Sequence, residues 1–358
     1  MHHASTWLAV EPYYATPSVG PYSSALIINW TVADPWSSVS LFEKNWANEG
    51  SFTMDLVQIF YTQVIPVGLW VVMLGMGLSL TPKDITNCFV MPKAMTIGLV
   101  GQLVVLPVLA LILALLFAPT PAIAVGVIIL AACPGGVTSN AYSFASRADL
   151  ALSVSLTAVT SFITIFTIPL LTYLAVRTFL DADTYPELPV LQMMYTLATL
   201  TVIPVAIGMG IRQIWSERAR LLIETLRTAT FLFLILLVLA GTVVAFDVLK
   251  QYFLQTAMVA VSLNVLSMAI GFWLGWLFKL GVPQRVSITF EIGVQNISLA
   301  SLVALSLLGN EEFFVVTLVY AAIMKITALS FMYFAKKWIV QDAMKDKVLN
   351  LVLSEPAA

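Results

Sequence analysis

The sequence predicts an all-α polytopic membrane protein of about nine transmembrane helices, arranged as an inverted repeat with two broken, crossed helices. Three observations carry that expectation. Apolar residues make up 60% of the chain and charged residues 10%, whereas soluble domains average about 45–50% and about 25%. Nine continuous apolar runs approach the roughly 20 residues a span requires. Two of those runs, five helices apart, are interrupted midway by glycine and polar residues.

So little charge does not cover a water-facing surface, which excludes a soluble enzyme. The net charge of −2 argues against a nucleic-acid binder. Two cysteines (Cys88, Cys133) and two histidines (His2, His3) are too few for a disulfide scaffold, a zinc cage or a His-based centre. The spans contain no Ser-Lys or paired-Asp set either, so the chain reads as a non-enzyme without a cofactor. A β-barrel is excluded because the runs are long and continuous rather than alternating.

The spans are expected at 56–79, 93–117, 121–145, 151–176, 190–211, 222–246, 254–278, 285–308 and 313–335. They fall in one transmembrane domain, 55–340, after an extramembrane segment, 1–54, and before a short cytoplasmic tail, 341–358. Residues 1–54 hold aromatic and polar sequence, no span, and an Asn29-Trp30-Thr31 glycosylation pattern. Orientation follows from lysine and arginine, which concentrate on the cytoplasmic side. With the N-terminus outside, Lys83, Lys93, Arg147, the arginines between 212 and 227, Lys279, Arg285 and the C-terminal lysines all fall inside. Only Lys44, Arg177 and Lys250 fall outside, so the expected location is a plasma or inner membrane with the C-terminus cytoplasmic.

The 121–145 span turns from apolar sequence into Cys133-Pro134-Gly135-Gly136-Val137-Thr138-Ser139-Asn140. Proline removes a backbone donor, and two glycines lower the cost of unwinding. The 285–308 span carries Phe290-Glu291-Ile292-Gly293-Val294-Gln295-Asn296. Glu291 is expected about 12 Å along its helix, at about 1.5 Å per residue, a depth where charge marks an ion or substrate path. Gln295, four residues on, is expected on the same helix face. An odd offset inverts topology, so the two spans correspond across an inverted repeat, as do 93–117 and 254–278. A second recurrence, Val64-Ile65-Pro66-Val67 and Val202-Ile203-Pro204-Val205, each followed by Gly-Met-Gly, has unequal internal spacing and reads as coincidence.

Broken helices at corresponding positions point to a transporter's binding site. Half-helix N-termini suit anions, while Ser139, Asn140, Glu291 and Gln295 offer the oxygens that a hard cation needs.

Together, Cys-Pro-Gly-Gly-x-x-Ser-Asn, the following Ala-Leu-Ser and Glu-x-Gly-x-Gln-Asn resemble the bile acid:sodium symporter family over roughly residues 55–340. The resemblance implies a core domain with the crossed helices and a smaller panel domain beside it. It implies sodium-coupled symport of an organic anion: bile-acid-like, a keto acid or a pantoate-like acid. One sodium would be held by Ser139, Asn140, Ser153, Thr157 and Glu291. A second would be held by Glu291, backbone oxygens near Ile292 and Val294, Gln295 and Gln102. The anion would meet Asn296 and, more weakly, Thr138.

Lys325, mid-span in 313–335, departs from the family pattern. It is a candidate modulator, pairing either with Glu291 or with a substrate carboxylate. Its alternative is a snorkelling lysine in a wet cavity. Two competing functions stand beside symport. Sodium/proton exchange would use Glu291 and Lys325 as a titrating pair, and a non-transporting receptor would not need the oxygen set.

Overall fold

The computed structural model describes residues 52–86, 90–180 and 188–354. The expected 1–54 segment lies outside the described residues up to position 51. Every regular element among the described residues is helical. The chain runs α1 (Phe52–Ile59), α2 (Ile65–Ser79), α3 (Pro82–Thr86), α4 (Pro92–Val100), α5 (Leu106–Phe117), α6 (Pro121–Ala132) and α7 (Val137–Ala145). It continues with α8 (Leu150–Phe179), α9 (Val190–Ile214), α10 (Ser216–Val244), α11 (Phe246–Leu277), α12 (Val282–Gly293), α13 (Ile297–Ser301) and α14 (Glu311–Ser354).

Among the described residues, seven helices are long and apolar enough to cross a membrane, counting α1–α2 and α4–α5 as continuous. They match seven of the nine expected spans. The other two are interrupted: 121–145 divides into α6 and α7, and 285–308 into α12 and α13. Proline alone does not produce these breaks, because Pro169 and Pro204 sit inside continuous helices. After Pro134 the chain meets Gly135 and Gly136, and α7 resumes only at Val137.

Three π-helical turns were not anticipated: Phe60–Val64, Gly101–Val105 and Leu302–Leu307. Pro66 and Pro107 sit at the starts of the α-helices after the first two. A proline ring clashes with the carbonyl four residues back, and widening the preceding turn relieves that clash. The third π-turn ends at Leu307, and Gly309, two residues on, closes the helix end with a φ of 59°, the left-handed conformation that glycine adopts freely.

The start of α6 is fixed by Thr120, which accepts from the Ile123 amide at 3.1 Å, with Pro121 at the first position. Asp149 caps α8 in the same way through Leu152 at 3.0 Å. At the other end of the chain, α14 continues past position 341, where a tail was expected to begin. No proline or glycine interrupts the sequence from Glu311 to Ser354, so nothing local ends the helix.

Burial distinguishes central from peripheral helices. The most apolar stretch of Glu311–Asp342 is 61% buried, and that of Leu221–Val244 only 11%. The core gathers around Tyr320, Phe290, Phe313 and Phe314, all fully buried. Phe290 stacks on Tyr142 at 5.6 Å and meets Phe331 edge-on at 5.3 Å, so α12 is held between α7 and α14. The peripheral faces carry large apolar side chains such as Leu116, Leu221 and Val243, a surface suited to lipid rather than water.

α2 packs closely on α9. A Cβ at Gly77 would stand 2.2 Å from the Val205 carbonyl oxygen, and one at Gly208 would stand 2.5 Å from that of Leu74. The paired Gly-Met-Gly sequences, read above as coincidence, are thus used against each other, in the manner of small-residue interfaces between membrane helices.

Candidate functional site

The two helix breaks lie side by side. Gly135 and Gln295 form an isolated antiparallel bridge, and the Asn296 amide donates to the Pro134 carbonyl at 3.0 Å. Each extended segment therefore satisfies backbone groups that the other's interruption frees. Other helices supply the remaining caps. Gln102, in the π-turn between α4 and α5, donates to the Cys133 carbonyl at 2.8 Å. Asn264 of α11 and the Tyr320 hydroxyl donate to the Gly293 carbonyl at 2.8 and 2.9 Å. Asn264 is in turn held by the Thr327 hydroxyl. Asn264 and Tyr320 were missed in the sequence. The available signal was Asn264 itself, an amide deep inside the 254–278 span, where Gln255 stands only at the edge, matching Gln102 in 93–117.

Glu291 lies at the centre, fully buried near the end of α12. Its carboxylate accepts from Ser139 Oγ at 2.9 Å and from Thr157 Oγ1 at 2.8 and 2.9 Å. Asn140 Oδ1 accepts from Ser153 at 2.8 Å and approaches Thr157 Oγ1 at 3.3 Å. The five residues of the first expected ion set are therefore linked in one hydrogen-bonded network, brought together by α7, α8 and α12.

Oxygens outnumber protons in this cluster. Thr157 carries one hydroxyl proton but stands within 3.3 Å of four acceptors: both Glu291 oxygens, Asn140 Oδ1 and the Ser153 carbonyl. Ser139 likewise faces the Gly136 carbonyl at 2.7 Å as well as Glu291. A hydroxyl donates one hydrogen and keeps lone pairs for another partner. Among the described residues the only ion pair joins Arg227 to Glu224 on the surface, so no lysine or arginine neutralises Glu291. A buried carboxylate without a fixed counter-charge is costly, and a lone-pair-rich shell suits a hard cation.

The second expected set is only partly assembled. Gln102 Nε2 donates to Gln295 Oε1 at 3.1 Å, and Gln295 Nε2 to the Ile292 carbonyl at 2.7 Å. Gln102 Oε1 is buried without a hydrogen-bond partner, an oxygen whose lone pairs face only other protein atoms. Val294 has extended backbone, and its amide donates to the Phe290 carbonyl at 2.9 Å. The expectation that Gln295 shares a helix face with Glu291 is corrected. α12 ends at Gly293, so Gln295 sits in the extended break and its side chain meets Gln102 instead.

Asn296 caps α13, its Oδ1 accepting from the Leu299 amide at 3.1 Å. Thr138, in the first turn of α7, lines with Asn296 a cavity of about 40 Å³. Lys325 lines the same cavity. Among the described residues it forms no ion pair, so the expected pairing with Glu291 is not made.

Comparison with known proteins bears on this geometry. A family model described as the Sodium Bile acid symporter family matches residues 66–252, more than half of the chain, which takes in the first break, Gln102, Ser153 and Thr157. An uncharacterized sodium-dependent transporter of Bacillus subtilis is 26% identical over 257 residues, covering 71% of this chain and 77% of that protein. A probable chloroplastic sodium/metabolite cotransporter of Oryza sativa is 26% identical over 255 residues, but the match spans only 59% of its length. The human hepatic sodium/bile acid cotransporter is 27% identical over 237 residues, covering 65% of this chain and 67% of that protein. These relatives are transporters rather than enzymes. The chain is a multi-pass integral membrane protein that belongs to the sodium bile acid symporter family.

Proposed function

We propose that the chain is a secondary active transporter that moves an organic anion together with sodium by alternating access. One observation carries the reading. Glu291 is fully buried amid hydroxyl, amide and carbonyl oxygens, and no fixed cation among the described residues pairs with it. A mobile cation supplies the missing charge. Ser139, Asn140, Ser153, Thr157 and Glu291 hold one sodium. Glu291, Gln295, Gln102 and carbonyls near Ile292 and Val294 hold a second, which would employ the orphaned Gln102 oxygen.

Coupling follows from the same contacts. The ligands of the first ion come from three helices that meet at the breaks, so its binding draws α7, α8 and α12 together. The Asn296 amide is bonded to the Pro134 carbonyl, so a firmer junction also fixes Asn296 beside Thr138, where the anion sits. An inverted repeat with crossed broken helices is supported by the matched caps, Gln102 on the first break and Asn264 on the second. Core and panel domains, an external N-terminus and a cytoplasmic C-terminus complete the reading. Exchange of sodium for protons loses its Glu291–Lys325 titrating pair, because no such ion pair forms among the described residues.

Uptake of labelled carboxylates into proteoliposomes tests the proposal. Uptake should require an inward sodium gradient, and equal uptake in sodium, potassium and choline would refute it.

A further inference from the structure

Lys325 stands 14 residues into α14 from Glu311, about 21 Å along the helix at about 1.5 Å per residue. That is well inside a hydrocarbon layer about 30 Å thick. An ammonium at such depth ordinarily has a partner or a path to water. Lys325 is half-buried and, among the described residues, forms no ion pair. Its cavity lies between α2 and α10 on one side and α7, α13 and α14 on the other. Thr138, Thr230, Gln295, Asn296 and Ser298 line it with Lys325, the Gln295 amide being engaged at both ends by Gln102 and the Ile292 carbonyl, and no aspartate or glutamate does.

The polar lining is biased toward donors. The Asn296 side chain must turn its oxygen to the Leu299 amide, the only end able to accept, so both hydrogens of its Nδ2 remain for another partner. Thr138 adds a hydroxyl, and Lys325 adds three N–H groups and the charge. A cavity of about 40 Å³ has room for a head group of two or three non-hydrogen atoms, since one water needs at least about 10–15 Å³ by the same measure. A carboxylate has that size, carries the opposite charge and only accepts hydrogen bonds when ionised.

We infer that Lys325 is the fixed counter-charge for a substrate carboxylate, held between its ammonium, the Asn296 amide and the Thr138 hydroxyl. This rests on the anion-transport reading and adds to it a specificity-determining residue. It also assigns the two charges separately: Lys325 neutralises the substrate, while Glu291 is left to the coupling ions.

Equilibrium binding to the full chain in detergent tests the inference apart from transport. The probes are pyruvate and cholate with their uncharged amides, pyruvamide and cholamide, measured in sodium by thermal stabilisation. At least one acid should bind wild type and its amide should not. Lys325→Met should weaken that acid about ten- to hundredfold, the loss expected for one charge-assisted hydrogen bond. Lys325→Arg should recover most of the affinity. Stabilisation by sodium alone should be unchanged in Lys325→Met, which also shows that the variant folds. Wild-type affinity in Lys325→Met, equal binding of acid and amide, or binding of neither acid to wild type would each overturn the assignment. Failure of the transport reading gives a different result: an acid binds wild type, yet sodium-free liposomes given an inward sodium gradient accumulate none of it.

Discussion

Gly135 and Glu291 approach so closely that a Cβ added to the glycine would stand 2.3 Å from the carboxylate Oε1. The glycine that lets the first helix unwind thus also leaves room for the acid of the second. Gly135→Ala must displace a carboxylate held by Ser139 and Thr157. The displaced group is the end of a flexible side chain, so the fold should survive. We predict that the variant reaches the membrane but needs at least about tenfold more sodium for half-maximal uptake, the loss of about 1.4 kcal/mol of ion binding. An unchanged sodium curve would show that the approach is incidental.

Glu291→Gln keeps the shape of the site and removes its charge. If the buried carboxylate awaits a mobile cation, it destabilises the ion-free protein, and its neutral replacement should relieve that cost. The expected result has two parts: a melting temperature in sodium-free detergent equal to or above wild type, and loss of the increase that sodium produces. Sodium-driven uptake should fall below detection. A variant that melts lower without sodium yet is still stabilised by it would contradict the cation assignment.

Some of this was legible in the sequence for stated physical reasons. Pro134 followed by two glycines predicts a break, whereas Pro169 and Pro204, with no glycine beside them, lie inside continuous helices. Ser153 and Thr157 are implied by the family resemblance, and their spacing of four residues accounts only for their sharing one helix face toward the site. What the sequence did not reveal depends on where the break ends. The expectation that Gln295 shares the Glu291 face fails because i and i+4 coincide only while the helix continues, and α12 ends at Gly293. The surroundings of Lys325 were equally hidden, since spacing along one helix does not choose between Glu291 on α12 and the cavity that Lys325 lines.

The matched caps should separate stability from coupling. Asn264→Leu removes one of two donors to the Gly293 carbonyl, leaving Tyr320. A cost of about 0.5–1.5 kcal/mol in detergent stability is expected for one lost hydrogen bond to an acceptor that keeps another donor, with the steepness of sodium dependence retained. Gln102→Leu should cost about 1–3 kcal/mol through the Cys133 carbonyl, which loses its side-chain donor. It also removes the orphaned oxygen, so uptake should become less steep in sodium, with a Hill coefficient falling toward one. Equal steepness in both variants would remove Gln102 from the second ion site.

The two Gly-Met-Gly sequences provide an internally controlled test of packing. In each, one glycine is in tight contact and the other is not. A Cβ at Gly77 would meet the Val205 backbone oxygen at 2.2 Å, while one at Gly75 meets only Leu226 at an ordinary 3.6 Å. On α9, a Cβ at Gly208 would stand 2.5 Å from the Leu74 oxygen, while one at Gly210 has nothing within 4 Å. Backbone oxygens inside a helix do not move aside as side chains do, so Gly77→Ala and Gly208→Ala must push α2 and α9 apart. Overpacking of this kind costs about 1–3 kcal/mol. Gly75→Ala and Gly210→Ala make no such clash, and alanine favours a helix over glycine by about 1 kcal/mol. The first pair should therefore lower the detergent melting temperature and the second pair should hold or raise it. The hydrogen bonds to Glu291 come from α7 and α8, so all four variants should keep the wild-type sodium dependence of whatever uptake remains. A uniform effect across the four would mean that the glycines serve the bending of their own helices rather than the α2–α9 contact.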